Sequence, residues 1–248
     1  MVDMTNSTRT SDTTIALVTG GNKGLGRETV RRLAARGWTV YLGSRDPERG
    51  KAAAAELAAD GADVRFLPLD VTSDESVAEA VRTVTEEVGV LDVLVNNAGI
   101  IGTGAAAEDT VASDFLAAYG VNVLGPVRMT HAFLPLLRAS AAPRIVMVSS
   151  GMGSLAITND PDRPESTLAT LVYPSSKSAL NMITTQYAKA LPGFRVNAVD
   201  PGYTATDLNG HQGHQTVEEG TDAAVTLTTI GADGPTGGFF DRSGPVPW

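Results

Sequence analysis

Short runs rich in Val, Ile and Leu alternate with helix-forming stretches along almost the whole chain, and this alternation restricts the fold more than any other feature of the sequence. The apolar runs fall at 15–18, 39–42, 64–69, 91–95, 144–148 and 194–199. Helices are predicted at 24–36, 47–59, 74–88, 112–137, 173–191 and 216–230. Local signals set several boundaries. Gly37 stops the first helix, Pro47 suits a first turn, Ser73 is placed as an N-cap, and Thr216 with Glu219 has the capping-box pattern. Residues 237–241 read as a last edge strand. Strands that are apolar at nearly every position are buried on both faces, and regular strand–helix alternation supplies the helices that bury them. The expectation is an α/β fold with a doubly wound parallel sheet.

No linker or internal repeat divides the 248 residues, so 13–248 are expected to form one domain. Residues 1–12 are polar and rich in Ser and Thr, without the apolar stretch of a secretory signal. They are expected to be a disordered tail, and the protein to be cytoplasmic. The stretch 155–172, rich in Pro, Asp and Thr, breaks the rhythm and reads as an inserted loop. A net charge of −9 argues against nucleic acid and anionic membranes as partners, because both select for cations. The absence of cysteine excludes disulfides and thiolate metal sites. His211 and His214 have metal-like spacing but no matching carboxylates, so no metal is expected. His131 reads as structural, and Trp38 as packing under the second strand.

The first strand runs into Thr19-Gly20-Gly21-Asn22-Lys23-Gly24-Leu25-Gly26. Gly20 permits a tight turn, Gly24 lets backbone approach a pyrophosphate, and Gly26 lets the helix pack against the strand. The helix N-terminus then offers its N–H groups to the anion. This is the logic of a Rossmann-type dinucleotide fold, although the spacing is GxxxGxG rather than GxGxxG. The second strand ends in Gly43-Ser44-Arg45. A ribose 2′-hydroxyl would want a carboxylate here, whereas a 2′-phosphate wants a cation. Arg45, with Lys23 as a second cation, therefore points to NADP(H) rather than NAD(H).

Taken in order, these residues resemble the short-chain dehydrogenase/reductase family. The resemblance spans nearly the whole chain: Thr19–Gly26, Asp70-Val71, Asn96-Asn97-Ala98-Gly99, Asn122, Ser149-Ser150, Tyr173-Pro-Ser-Ser-Lys177 and Pro201-Gly202. Each motif is modest alone, but seven in order at strand ends or on adjacent helices are specific. Asn22-Lys23, Arg45 and the segment from Gly238-Phe239-Phe240 to Trp248 are most similar to the NADPH-dependent carbonyl reductase branch. The resemblance implies that Asp70 and Val71 contact the adenine and that Asn97, Ala98 and Gly99 line a ribose. It also implies that backbone after Pro201-Gly202, with Thr204 and Thr206, holds the carboxamide or phosphates. The cofactor set is completed by Gly20, Asn22, Lys23, Gly24, Leu25, Gly26 and Arg45, together with Tyr173 and Lys177.

Tyr173 and Lys177 are four residues apart, so a helix puts them on one face. An isolated pair at this spacing is usually a solvated surface pair; beside Ser150, Asn122 and the glycine turn it reads as chemistry. Carbonyl reduction needs a proton at oxygen as hydride reaches carbon. Tyr173 would supply it, and the Lys177 ammonium would lower the phenol pKa and hold the nicotinamide ribose. Ser150 would donate to the substrate oxygen where charge develops. Asn122, by resemblance, would hold a water linking Lys177 to solvent. Ser150 is preferred to Ser149 because the family's serine is usually second of such a pair and strand alternation turns the two apart. Ser150 precedes Tyr173 by 23 positions, about ten more than is common in the family. The insertion 155–172 accounts for the difference. It could wall the substrate pocket through Met152, Leu155 and Ile157, or cover helix faces used for assembly. Similar insertions accompany monomeric carbonyl reductases, so a monomer is favoured. The expected activity is NADP(H)-dependent interconversion of small to medium apolar ketones or aldehydes and alcohols. A dedicated biosynthetic ketoreductase and a non-catalytic NADP(H) sensor are the alternatives.

Overall fold

The computed structural model describes residues 13–248, and the tail expected at 1–12 lies outside the described residues. The parallel strands are β1 Ile15–Thr19, β2 Thr39–Ser44, β3 Val64–Pro68, β4 Val93–Asn96, β5 Arg144–Val148, β6 Arg195–Val199 and β7 Phe239–Asp241. A short β8, Gly244–Pro245, pairs antiparallel with β7. The order across the sheet is β3-β2-β1-β4-β5-β6-β7-β8. The segment expected to be the edge is thus one place in, because the chain turns back at Asp241 to pair once more. The direction of winding reverses between β1 and β4. A crevice opens there, beyond the C-terminal strand ends.

Period-two alternation builds a core on each face of the sheet. Leu17 and Tyr41 point into one core with Leu67, Phe133, Leu137 and Ile145. Ala16, Val18, Val40 and Leu42 point into the other with Val30, Leu33 and Ala223. The helices are α1 Gly24–Ala34, α2 Pro47–Ala58, α3 Asp74–Glu87, α4 Phe115–Tyr119, α5 Gly125–Arg138, α6 Leu155–Thr158, α7 Val172–Ala190 and α8 Val217–Thr228. The predicted caps form. Ser73 Oγ accepts from the Ser76 N–H, and Thr216 and Glu219 accept reciprocally from each other's N–H. No helix among the described residues is long and apolar enough to cross a membrane.

The single helix expected at 112–137 is broken. A 3-10 turn at Ala112–Asp114 leads into α4, and a π-turn at Gly120–Leu124 separates α4 from α5. Pro126 has no N–H, so the Asn122 carbonyl lacks the donor that an α-helix would supply four residues on. The wider turn places Asn122 at the base of the crevice.

The stretch 155–172 is more ordered than a plain loop. It contains α6 and a 3-10 turn at Pro164–Thr167. Ile157 is buried under the insertion and Leu155 faces solvent, so neither lines the pocket as expected; Met152 does. The insertion docks on the C-terminus, where the Ala156 N–H donates to the Trp248 carbonyl at 3.1 Å and Ser154 Oγ to that of Pro247 at 2.9 Å. Trp248 stacks on Phe239 of β7 with ring centroids 5.2 Å apart. Met182 on α7 and Leu124 beside α5 remain largely exposed, so the insertion does not cover these helix faces. His131 is also exposed, which removes a structural role in the core.

Candidate active site

A cavity of about 1180 Å³ opens at the C-terminal strand ends. Every catalytic and cofactor residue that the sequence places in the site lines it except Asn122, which is fully buried behind Gly99. The glycine turn closes one wall. Gly20 and Gly24 have φ of +65° and +51°, which side chains disfavour. A Cβ on Gly26 would collide with the Gly20 carbonyl and the Asn97 amide. Gly26→Ala is therefore expected to cost about 1–3 kcal/mol by overpacking, read as a lower urea midpoint together with weaker NADPH binding. Lys23 is the N-cap of α1 and makes no side-chain capping bond, so no side chain competes for the first-turn N–H groups. These features fit a dinucleotide pyrophosphate.

Several predicted contacts are made differently from the expectation. The Asn97 amide donates to the Thr19 carbonyl at 2.7 Å and the Gly20 carbonyl at 3.2 Å, so its side chain braces the glycine turn. Lys23 Nζ is engaged by Asp207 at 2.9 Å across the cleft. Arg45 lies exposed at the rim with no hydrogen bond or ion pair to another described residue, which leaves its guanidinium for a phosphate. Asp70 Oδ1 accepts from Thr72 N and Oγ1, and these bonds hold its carboxyl below the usual range.

The reactive centre sits where β5, β6 and α7 meet. Tyr173 is in the first turn of α7, and Lys177 follows one turn later with Nζ 5.6 Å from the tyrosine ring centroid. Lys177 Nζ donates to the Val148 carbonyl at 2.8 Å. Ser150 lies on the phenol side of Tyr173, where its hydroxyl favours the phenolate, and Ser150 Oγ accepts from the Met152 N–H at 3.2 Å. Ser149 turns the other way and bonds Asn181 on α7. The strand end thus separates the two serines as alternation predicts. Asn122 accepts from the Ile100 N–H and donates to the Ile100 carbonyl and Ser176 Oγ. A Cβ at Gly99 would stand 3.5 Å from Asn122 Oδ1 and 3.6 Å from Lys177 Nζ, so the two groups flank one backbone point.

Charge at this centre departs from the expected pattern. Burial pushes the Tyr173 phenol up to about 12, and the Ser150 bond only softens the rise. Burial also brings Lys177 down to about 8, against a contrary pull from Asp200. Burial thus raises the phenol, whereas the tyrosine–lysine spacing points to a lowered value.

Other lining residues lay beyond the sequence reading. Arg49 reaches the rim one turn after Asp46, which caps α2 and pairs with it at 3.2 Å; the helical spacing from Arg45 was the available signal. Asp200 and Glu165 line the centre from β6 and the insertion. Tyr203 and His214 pair at the mouth with centroids 6.0 Å apart. The sequence marks His214 only by its spacing to His211, and no local pattern marks Asp200, Glu165 or Tyr203, because their meeting depends on loop paths. Among the described residues no group of three or more His, Cys, Asp or Glu could hold a metal.

The family model for short chain dehydrogenases matches residues 14–216. The chain belongs to the short-chain dehydrogenase family. It is 32% identical to (+)-neomenthol dehydrogenase of Capsicum annuum, over 94% of this chain and 97% of that one. It is 33% identical to (−)-isopiperitenone reductase of Mentha piperita, over 92% and 96%. The NADPH-bound carbonyl reductase from chicken fatty liver superposes with a TM-score of 0.84 at 26% identity, over 95% and 99%. The family match begins one residue before β1 and ends at the cap of α8, so it takes in every motif of the cavity.

Proposed function

We propose that this short-chain dehydrogenase reduces ketones and aldehydes to alcohols with NADPH, and that Tyr173 delivers the proton. The observation that carries the reading is the convergence of Ser150, Tyr173 and Lys177 on one cavity whose far rim presents the unpaired Arg45. The relatives' printed names, a menthol-type dehydrogenase, an enone reductase and an NADPH-bound carbonyl reductase, support it. The glycine turn and the start of α1 would hold the pyrophosphate, Arg45 with Arg49 the 2′-phosphate, and Lys177 the nicotinamide ribose. The cofactor supplies hydride when bound.

Ser150 donates to the carbonyl oxygen and Tyr173 protonates it as charge develops there. Lys177 stands behind the phenol, and Asn122 ties the loop after β4 to α7, with its carbonyl in the π-turn available to a proton-relaying water. Ile100, Ile101, Met152, Leu168 and Leu208 give the substrate half an apolar lining, which suits carbonyl compounds of small to medium size.

NADPH oxidation with a panel of ketones, menthone-type and cyclic enones included, tests the reading. Turnover is expected with at least some cyclic ketones. Tight NADPH binding without turnover on any carbonyl would replace the enzyme by a nucleotide sensor. Because the phenol is held high, reduction is expected to stay level from about pH 6 to pH 8. Alcohol oxidation needs phenolate, whose fraction rises about tenfold per pH unit below its pKa; its rate should climb accordingly between about pH 7 and pH 9. Equal pH dependence in both directions would remove Tyr173 as the proton donor.

A further inference from the structure

Asp200 ends β6 beside the catalytic turn and is only 7% exposed. Strand pairing puts it level with the serines: Val199 lies opposite Val148, and the Ser149 N–H donates to the Val199 carbonyl at 2.8 Å. Its Oδ1 accepts from the Gly202 N–H at 3.0 Å, and its Oδ2 packs against Gly151, next to Ser150. The side chain thus ties the turn carrying Ser150 to the turn after β6. Among the described residues it makes no ion pair within 4.0 Å, and neither does Lys177, which is 4% exposed and anchored on the Val148 carbonyl. Two opposite buried charges, one just past β6 and one on α7, each without an ion-pair partner among the described residues, are costly unless they serve one another.

A second carboxylate faces the same point. Gly151 lies between them: a Cβ there would stand 2.8 Å from Asp200 Oδ2 and 3.3 Å from Glu165 Oε1. Glu165 belongs to the 3-10 turn of the insertion, and its Oε2 is buried without a hydrogen-bond partner. Arg163 approaches only Oε1, at 3.5 Å. Crowded carboxylates resist ionising together. The groups that face Asp200 are then Glu165 from the insertion, Asp241 from β7, and Lys177 and Tyr173 from α7.

We propose that Asp200 is a positioning residue for the reduction: it fixes the Ser150 turn and is the anion that keeps Lys177 an ammonium, while Glu165, delivered by the insertion, governs when Asp200 carries its charge. Burial works to discharge Lys177, and Asp200 is the charge opposing it. Burial and Glu165 both hold the Asp200 carboxyl above the usual range.

The inference rests on the reading above only for the part Lys177 plays, so its test does not use turnover. Lysine ε-carbon NMR of the full chain, with and without NADPH, follows the Lys177 titration directly. In Asp200→Asn the Lys177 midpoint should fall by about one pH unit, the scale of a lost neighbouring charge. A folded Asp200→Asn protein with an unmoved Lys177 midpoint overturns the proposal.

Glu165→Gln, in a turn with little packing at stake, provides a second arm should Asp200→Asn not fold. Wild-type Lys177 should show a second, acid inflection as Asp200 protonates, and Glu165→Gln should move it to lower pH. An absent inflection, or one indifferent to Glu165→Gln, also overturns the proposal. A shifted Lys177 in a protein that reduces no carbonyl would fail the enzymatic reading and leave the charge pairing standing. An active enzyme with an unshifted Lys177 would do the reverse.

Discussion

Tyr173→Phe should reduce kcat for ketone reduction by at least ~10²-fold and as much as ~10⁴-fold, the range general acid catalysis contributes. The ring stays in place over Lys177, so packing is preserved and only the hydroxyl that Ser150 engages is lost. NADPH affinity should remain within about twofold, because the proposed cofactor contacts of the glycine turn and Arg45 are untouched. Single-turnover kinetics together with fluorescence titration of NADPH separate the two quantities. Retained kcat would remove Tyr173 as the acid, whereas equal losses in kcat and NADPH affinity would point to a disturbed α7. Water could still protonate the product oxygen, which is why a residual rate is expected.

Arg45→Ala should weaken NADPH by about 10–100-fold, the worth of a charge-assisted hydrogen bond of roughly 1.5–3 kcal/mol. NADH should be almost unaffected, because Arg45 makes no hydrogen bond or ion pair with another described residue whose loss would disturb the fold. The change would appear as a collapse of the NADPH/NADH preference in kcat/KM at fixed salt. Lys23 is a weaker second cation than its place in the turn suggested, since Asp207 already engages it. Arg49, paired with Asp46 and more than half exposed, keeps part of the phosphate attraction in the variant. Equal weakening of both cofactors would assign Arg45 to the fold and not to the phosphate.

Much of the cavity was legible before any coordinates because its motifs follow local rules. The glycine turn, the caps at Ser73 and Thr216, and the four-residue step from Tyr173 to Lys177 depend on neighbours within one turn of chain. Ser150 could be separated from Ser149 because a strand end must turn successive side chains apart. The broken helix around Asn122 was not read, although Pro126 and the flanking glycines carried a signal, because helical periodicity continues across a π-turn. The lining of the substrate half was misread for a different reason. Leu155 and Ile157 are apolar, but which apolar residues of an insertion face a cavity depends on where the insertion docks, here against Pro247 and Trp248.

The sequence alone determined the α/β class, the burial of the strands on both faces and the residues of the glycine turn and the tyrosine–lysine pair, because hydrophobic runs and turn chemistry are short-range. The strand order, the switch between β1 and β4, and the meeting of Asp200 with Glu165 across Gly151 were decided only by the tertiary structure. So was the protonation of the centre. The Tyr173–Lys177 spacing alone pointed to a lowered phenol pKa, whereas the burial that raises it depends on how α7, β5 and β6 meet, which no spacing encodes.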